Sequence, residues 1–176
     1  MRWFAAIVSL LIAALVFHLG LLAYAMYALL GIMLLSKWLS RTWVENLTAV
    51  REYNRVAVNV GEKVAVVITL RNRGLLPVAW ALVEDLLPRG AIIFDPPSLG
   101  LVGSRMQLLS LKPRGKATLF YQLQCNRRGY HQIGPLMVET GDLFGLDRRY
   151  RMLTSPHFLL VYPEIAPLEG YELASP

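Results

Sequence analysis

KVAVVITLR, residues 63–71, is the stretch that decides the fold, because its apolar side chains fill one face in strict alternation. A period of two residues is that of a β-strand with at least one buried face. The stretch 115–125, GKATLFYQLQC, repeats the pattern, with Leu119 and Tyr121 on the predicted inner face. Cys125 continues that register, so we expect a buried thiol that behaves as a small hydrophobic side chain.

Further short apolar runs flank these two strands, and residues with turn chemistry separate them. The turn segments are NRG, LPRG, PP and KPRG, at 72–74, 87–90, 96–97 and 112–115. The other predicted strands are 47–58, 78–87, 106–111, 130–138, 147–153 and 158–162. About seven or eight short strands with such turns are typical of an immunoglobulin-like or related Greek-key β-sandwich. We therefore predict a mainly β fold, with the β-sandwich domain over residues 41–165.

The first part of the chain has a different composition, because no side chain charged at neutral pH occurs between Trp3 and Leu35. One straight helix of that length would be about 50 Å long, well beyond the roughly 30 Å hydrocarbon core of a bilayer. The stretch is therefore predicted to fold back, with a turn at residues 18–20, HLG, where a flexible glycine follows histidine. We predict a transmembrane helical hairpin over residues 1–40 and, after the sandwich, a C-terminal tail at 166–176.

Basic residues flank the apolar segment and predict its orientation. Arg2 precedes it, Lys37 and Arg41 follow it, and the expected turn carries neither Lys nor Arg. By the positive-inside rule, both ends of the hairpin and the sandwich are expected in the cytoplasm. The predicted membrane-interface anchors are Trp3, Lys37, Trp38, Arg41 and Trp43. A cleaved signal peptide is the alternative, and the second apolar arm argues against it because no hydrophilic mature start follows the first.

Composition and charge argue against several classes of site. The net charge is +6, yet the 18 basic residues are scattered and no reading motif with stacking aromatics occurs, so we expect no nucleic-acid partner. Proximity to an anionic lipid surface explains the basic excess more simply. Cys125 is the single cysteine, which excludes an intrachain disulfide and a cysteine-based zinc cage.

Catalytic and metal-binding groups do not converge in the sequence. The histidines, His18, His131 and His157, have no metal-ligand spacing. Glu84 and Asp85 are adjacent on a predicted strand, so their side chains point to opposite faces and cannot act as a pair. No serine stands in a Gly-x-Ser-x-Gly elbow, and the lone thiol is predicted to be buried. We therefore expect neither an enzyme nor a cofactor site.

Three stretches resemble a known family: LRNRGLLP at 70–77, RRGY at 127–130 and GDLFGL at 141–146. They are similar to the N-terminal part of the bacterial family called domain of unknown function 58, often encoded beside MoxR-type AAA ATPases. The resemblance implies two helices in the bacterial inner (cytoplasmic) membrane, followed by a β-sandwich. Leu143 stands where the commonest family form has proline. In that family a larger domain similar to von Willebrand factor type A follows, so this chain is either a fragment or a short form.

Two kinds of function remain open. In the first, the sandwich is a non-catalytic interaction or scaffold module at the membrane, which docks a MoxR-type ATPase as the resemblance implies. In the second, the chain is a structural accessory subunit of a larger integral membrane complex, with its hairpin packed against other helices. The candidate partner contacts are Arg127, Arg128, Asp142 and Asp147, because charged side chains on ordered loops orient a partner. The alternative is that these charges only solvate the loops.

Overall fold

The computed structural model describes residues 2–92, 95–143 and 145–163, without the side chains of Arg2, Trp3, Arg89 and Ile92. The predicted tail lies outside these residues. The described part is mainly β and begins with two apolar helices. The helices are α1 (Arg2–Val16), α2 (Gly20–Asn46) and the short α3 (Arg89–Ile92). The strands are β1 (Leu47–Tyr53), β2 (Ala57–Asn59), β3 (Lys63–Asn72), β4 (Val78–Asp85), β5 (Leu99–Gly103), β6 (Met106–Leu111), β7 (Lys116–Cys125), β8 (Gly129–Ile133), β9 (Leu136–Gly141), β10 (Arg148–Thr154) and β11 (His157–Tyr162).

The described strands form three sheets, in the orders β1-β3-β7-β5, β10-β9-β4-β6 and β2-β11-β8. All of these pairings are antiparallel except that of β2 with β11. The first two sheets share one core, in which Ile68 and Leu123 of the first lie with Val83 and Val138 of the second. Consecutive strands β3 and β4 belong to different sheets, which is the layered arrangement of a β-sandwich. The finer expectation of an immunoglobulin-like or Greek-key order stays a prediction.

The two strands from which the fold was predicted have the expected inner faces. Val66 and Ile68 of β3 are buried, and so are Tyr121 and Leu119, the residues of β7 with which they pair. Cys125 continues the inner face of β7 and is buried, as predicted. Burying one aliphatic side chain of this size contributes about 1.5–3 kcal/mol, so a shift of one residue, which would expose the whole row, is strongly disfavoured.

Two predicted strands are each divided in the structure. The predicted strand 47–58 is interrupted at residues 54–56, and the halves, β1 and β2, lie in different sheets. The predicted strand 130–138 is interrupted at Gly134 and Pro135, between β8 and β9. Gly134 has φ +86°, which favours glycine, and Pro135 has no backbone N–H to donate to a sheet. Strand β5 was not predicted, because its two glycines obscure the alternation.

Helices α1 and α2 contact each other and are joined by a short connection. The contact buries Ala14 and Ala23, whose small side chains allow close approach of the two helices. The chain breaks at the predicted place, although the residue in the left-handed region is His18, with φ 55°, and Gly20 already begins α2. Within α2, 18 residues have a mean hydropathy of 1.6, so α2 is long and apolar enough to cross a membrane, whereas the apolar helix Phe4–Val16 is shorter.

Helix α2 continues into the sandwich. It passes through the predicted boundary after residue 40 and ends at Asn46, and β1 begins at the next residue, Leu47. Ser40, Trp43 and Leu47 follow one another at the spacing of a single helix face, and all three are buried. Since α2 contacts β9 and β10, its last turns are part of the sandwich core.

Candidate functional site

The sandwich has two ends with different chemistry. The end at which α2 enters is called the helix end, and the opposite end, where β7 turns into β8, is called the distal end. Strand β7 runs from one to the other, since Lys116 pairs with Arg71, which in turn pairs with Thr48 just after α2. Its ten residues span roughly 30 Å at about 3.3 Å per residue.

A polar cluster at the helix end fastens α2 to β10. Ser40 of α2 donates a hydrogen bond from its hydroxyl to the carboxylate of Asp147. Arg149 Nε lies 3.0 Å from Asp147 Oδ2 and 3.2 Å from Ser40 Oγ. Arg151 donates to two backbone carbonyls at the C-terminus of α2, at 3.2 and 2.9 Å. Because carbonyls at a helix C-terminus lack partners within the helix, Arg151 satisfies groups that would otherwise need water.

The predicted membrane anchors divide between two environments. Lys37, Trp38 and Arg41 are exposed on α2, and the side chain of Trp3 is outside the described part. The prediction is wrong for Trp43, which is 4% exposed, against 56% for Trp38, and belongs to the sandwich core. Five residues along a helix correspond to a rotation of about 140°, so these two tryptophans lie on opposed faces.

The two acidic residues predicted as partner contacts form hydrogen bonds within the protein. Asp142 is 1% exposed, and its Oδ1 accepts a hydrogen bond from the backbone N–H of Asp147 at 2.7 Å. Its carbonyl accepts the indole N–H of Trp80 at 3.3 Å. Asp142 therefore caps the β9–β10 loop, and its prediction as an exposed contact is wrong. Asp147 is partly buried and already accepts from Ser40 and Arg149.

The basic residues predicted as partner contacts lie at the other end of the molecule. Arg127 and Arg128 are exposed in the turn between β7 and β8, at the distal end. Asp147 lies at the helix end, so the length of β7 separates the two groups by a distance on the order of 30 Å. The four predicted contacts therefore do not form one surface.

An apolar surface adjoins the two arginines. Tyr130 of β8 pairs with Leu160 of β11, and the rings of Tyr130 and Phe158 stack at 4.7 Å with 4° between their planes. All three side chains are exposed, as is Tyr162 at the end of β11. We call this surface the distal face, and its residues are Arg127, Arg128, Tyr130, Phe158, Leu160 and Tyr162.

The distal face has the composition of an interface core. Aromatic residues and arginine are enriched at the centres of protein–protein interfaces, where they contribute most of the binding energy. The sequence contained a signal for it, since 158–162, FLLVY, is apolar at every position although only Leu159 and Val161 face the core. A run that is apolar on both faces indicates a strand covered on both sides. The strand at 158–162 was predicted, whereas its second, exposed apolar face was not.

The structure also contains a buried ion pair that sequence reasoning missed. Arg51 of β1 and Asp85 of β4 form a salt bridge with side-chain exposures of 4% and 0%, and Tyr121 donates to Asp85 Oδ2 at 2.6 Å. Burial raises the pKa of the Asp85 carboxyl, while the Tyr121 hydrogen bond and the charge of Arg51 oppose that rise. Asp85 lies on the same buried face of β4 as Ala81 and Val83, and this alternation in the sequence could have indicated a buried carboxylate. Since the pair joins the first sheet to the second, its role is structural.

The side chains that were considered as metal ligands or nucleophiles can be placed in the structure. No group of three His, Cys, Asp or Glu side chains that could hold a metal converges within the described ranges. Glu84 points to the opposite face from the buried Asp85, as the alternation predicted. Burial, and secondarily the Glu62 carboxylate, raises the pKa of the Cys125 thiol to about 11, so the thiol stays protonated at neutral pH.

Comparison with known proteins gives one relative and several distant likenesses. No protein-family model matches the chain. The chain is 28% identical over 140 residues to a Bacillus subtilis protein described as uncharacterized protein YeaD, an alignment that covers 80% of this chain. The chain spans about a third of that relative, since the alignment covers 34% of it.

Among solved structures, the CARDB domain of a Pyrococcus furiosus protein has a TM-score of 0.44 at 13% identity, over 67% of this chain and 94% of that domain. Salmonella alpha-2-macroglobulin reacted with methylamine has a TM-score of 0.45 at 18% identity, over 67% of this chain and 7% of the other. At these scores and identities, no conclusion on function follows from either likeness.

Proposed function

We propose that the chain is a membrane-anchored, non-catalytic interaction module, in which a transmembrane hairpin of α1 and α2 carries a sandwich that docks a partner protein. The single observation that carries the proposal is the distal face. It is an exposed surface of aromatic and arginine side chains on a domain that is continuous with an apolar helix. A surface of that composition is costly to leave in water unless a partner covers it.

The anchoring part of the proposal rests on the exterior of the helices. Their exposed residues are overwhelmingly apolar, as in Leu10, Ile12 and Leu21, which suits contact with lipid. In the sequence, Arg2 precedes the apolar segment and Lys37 and Arg41 follow it, while the connection between the helices has neither Lys nor Arg. By the positive-inside rule, the hairpin then crosses the membrane twice with the sandwich in the cytoplasm. The resemblance to the domain of unknown function 58 implies that this membrane is the bacterial inner membrane.

Topology can be tested with reporter fusions at both termini. We expect green fluorescent protein fused to either end to fluoresce, and alkaline phosphatase at the same positions to be inactive. Active phosphatase at either terminus would contradict the hairpin, because both ends must lie on the cytoplasmic side.

The docking part of the proposal commits to a partner with an acidic surface that surrounds apolar residues. Arg127 and Arg128 give the distal face positive charge beside the stacked rings of Tyr130 and Phe158. Opposite charge accelerates and orients association, and burial of the rings provides affinity. From the resemblance to the domain of unknown function 58, we propose a MoxR-type AAA ATPase as this partner.

Binding can be measured between the detergent-solubilised protein and the purified MoxR-type ATPase of the same bacterium. We expect Arg127→Glu/Arg128→Glu to weaken binding by at least about tenfold, since two attractive charges become repulsive. Lys112→Glu/Lys116→Glu is the matched control, because it makes the same change of charge on exposed residues at the helix end. That control is expected to bind like the wild type.

Equal weakening by both variants would contradict docking at the distal face, because it would indicate only a general effect of net charge. If the wild type does not bind the ATPase, the partner assignment is wrong. The structural subunit of a larger membrane complex is then the better description, and purification in mild detergent would identify the other subunits.

A further inference from the structure

The β9–β10 loop at the helix end, residues 142–147, has a rigid base. The backbone N–H of Asp142 donates to the carbonyl of Asp147 at 3.2 Å, and the return bond from Asp147 to the Asp142 carboxylate is 2.7 Å. Gly141 lies so close to Trp80 that a Cβ would come within 2.9 Å of the indole ring. The two ends of the loop are therefore held together and packed against β4.

Leu143, Gly145 and Leu146, the described residues of the loop that we call its tip, are apolar or without a side chain, and Gly145 and Leu146 lie beside the helices. Leu143 is 64% exposed and Leu146 58% exposed, although both are large apolar side chains. Gly145 and Leu146 line a groove of about 460 Å³ together with Ile7 of α1 and two residues of α2, Leu29 and Met33. The loop thus extends from the sandwich back along the apolar surface of the helices.

The position of the tip along α2 can be compared with that of the nearest charged residue. Lys37 is the first charged residue of α2, and its ammonium lies 5.8 Å from the ring centroid of Phe4 near the start of α1. Met33 and Leu29 precede Lys37 by one and two turns, which corresponds to about 6 and 12 Å along the helix axis. The loop tip therefore lies on the apolar side of the level marked by Lys37.

The polar groups of the loop are withdrawn from its tip. Asp142 is buried under the loop, and Asp147 faces Ser40 and Arg149. Burying an unpaired charge in hydrocarbon would be costly, so the internal pairing of both carboxylates is a condition for contact with lipid. Arg148 at the start of β10 is exposed and forms an ion pair with Glu139 at 3.5 Å, so its charge is also balanced within the protein.

We propose that the tip of the β9–β10 loop inserts between the lipid headgroups and acyl chains, as a third membrane contact beside the two helices. This inference rests on the anchoring proposed above. Its occupant is the bilayer, because the tip is continuous with the apolar helix exterior and lies at a depth typical of interfacial segments, about 5–10 Å. The loop then fixes the rotation of the sandwich about α2 relative to the membrane plane.

The test is depth-dependent quenching of a fluorophore in the full chain. Leu143→Cys and Leu146→Cys, each in a Cys125→Ala background, are labelled with an environment-sensitive dye and reconstituted into phosphatidylcholine and phosphatidylglycerol vesicles. Doxyl-labelled lipid quenches a dye that lies in the acyl region. The two reference positions are Tyr130→Cys on the distal face and Leu34→Cys on the exposed surface of α2.

We expect doxyl lipid to quench both loop positions at least about twofold more than Tyr130→Cys, with Leu34→Cys quenched strongly as well. Quenching at Leu34→Cys with none at either loop position would overturn the loop inference and leave the anchoring intact. No quenching at Leu34→Cys would overturn both. Protection of the loop from doxyl lipid and from aqueous iodide alike would show that another protein chain covers it, which also contradicts the inference.

Discussion

At the helix end of the sandwich, Asp147 and Arg149 are paired with each other and with Ser40, whereas at the distal end Arg127 and Arg128 are exposed beside a row of aromatic rings. In sequence, the charged residues of the two ends look alike, since Asp147 stands two residues after Gly145 and Arg127 two residues before Gly129. The difference is that α2 enters at one end, and its C-terminal turns need partners there. A charged residue in a turn is therefore not by itself evidence for binding, because it can serve to pair a nearby helix end, as Asp147 and Arg149 do.

The largest expected effect comes from the tryptophan that joins α2 to the sandwich. We expect Trp43→Ala to lower the free energy of unfolding by about 3–5 kcal/mol, because it removes a buried aromatic side chain and leaves a cavity. Trp38→Ala is the matched control, since Trp38 is on the same helix and exposed. Far-UV circular dichroism during denaturation in detergent measures both variants. Similar losses would contradict the assignment of Trp43 to the core.

A smaller effect is expected from the polar cluster of the helix end. Asp147→Ala removes the acceptor for Ser40 and Arg149, and we expect a loss of about 1–3 kcal/mol because donors are left unsatisfied. Glu45→Ala, which removes an exposed ion pair with Arg41, should leave the unfolding midpoint unchanged. An Asp147→Ala protein as stable as the wild type would show that the cluster does not fasten α2.

At the distal end, substitution of an exposed arginine should leave the free energy of unfolding almost unchanged in the same denaturation experiment. Arg128→Glu is expected to change the free energy of unfolding by less than about 0.5 kcal/mol, as is usual for exposed side chains. The denaturation curve should therefore overlay that of the wild type, even where binding is lost. A loss comparable to that of Asp147→Ala would remove the contrast between the two ends.

A further expectation at the distal end concerns Cys125, the last residue of β7 before the distal turn. Thiol labelling of the native protein should be at least about a hundredfold slower than in denaturant, because it requires local opening. Since the pKa of the thiol is raised from 9.0 to about 11 in the folded protein, the folded state retains its proton more strongly. Its contribution to stability is therefore present below about pH 9 and is lost as the pH rises toward 11. Equal labelling rates in the two states would show that the distal turn is open.

The strands predicted correctly from sequence have water on one side and the core on the other. The helix boundary was missed because α2 is apolar on both sides. In β3 and β7, water on one face and core on the other produce an alternation that can be read directly. At the end of α2, both the exposed helix surface and the sandwich core carry apolar residues, so hydropathy does not distinguish Trp43 from Trp38. The predicted boundary after residue 40 consequently lies inside α2.

The candidate site was predicted in part for a related reason. Arg127 and Arg128 were identified because basic side chains in a turn are visible in sequence. The apolar row of β11 was not, because only the three-dimensional pairing shows that one of its two faces is uncovered. The pairing of Arg51 with Asp85 joins two strands that are not neighbours in a sheet, and no local pattern contains that information.

The direct passage from α2 into β1, without a linker, has a consequence for the range of the membrane's surface potential. In the anchored arrangement proposed above, the distal face lies beyond the helix end by about the length of β7, roughly 30 Å. The Debye length at physiological ionic strength is about 8 Å, so the potential of anionic lipids has decayed by more than three such lengths at that height. A partner bound there would experience the charge of Arg127 and Arg128 but almost none of the charge of the bilayer. Its affinity should therefore be the same in neutral and in anionic vesicles.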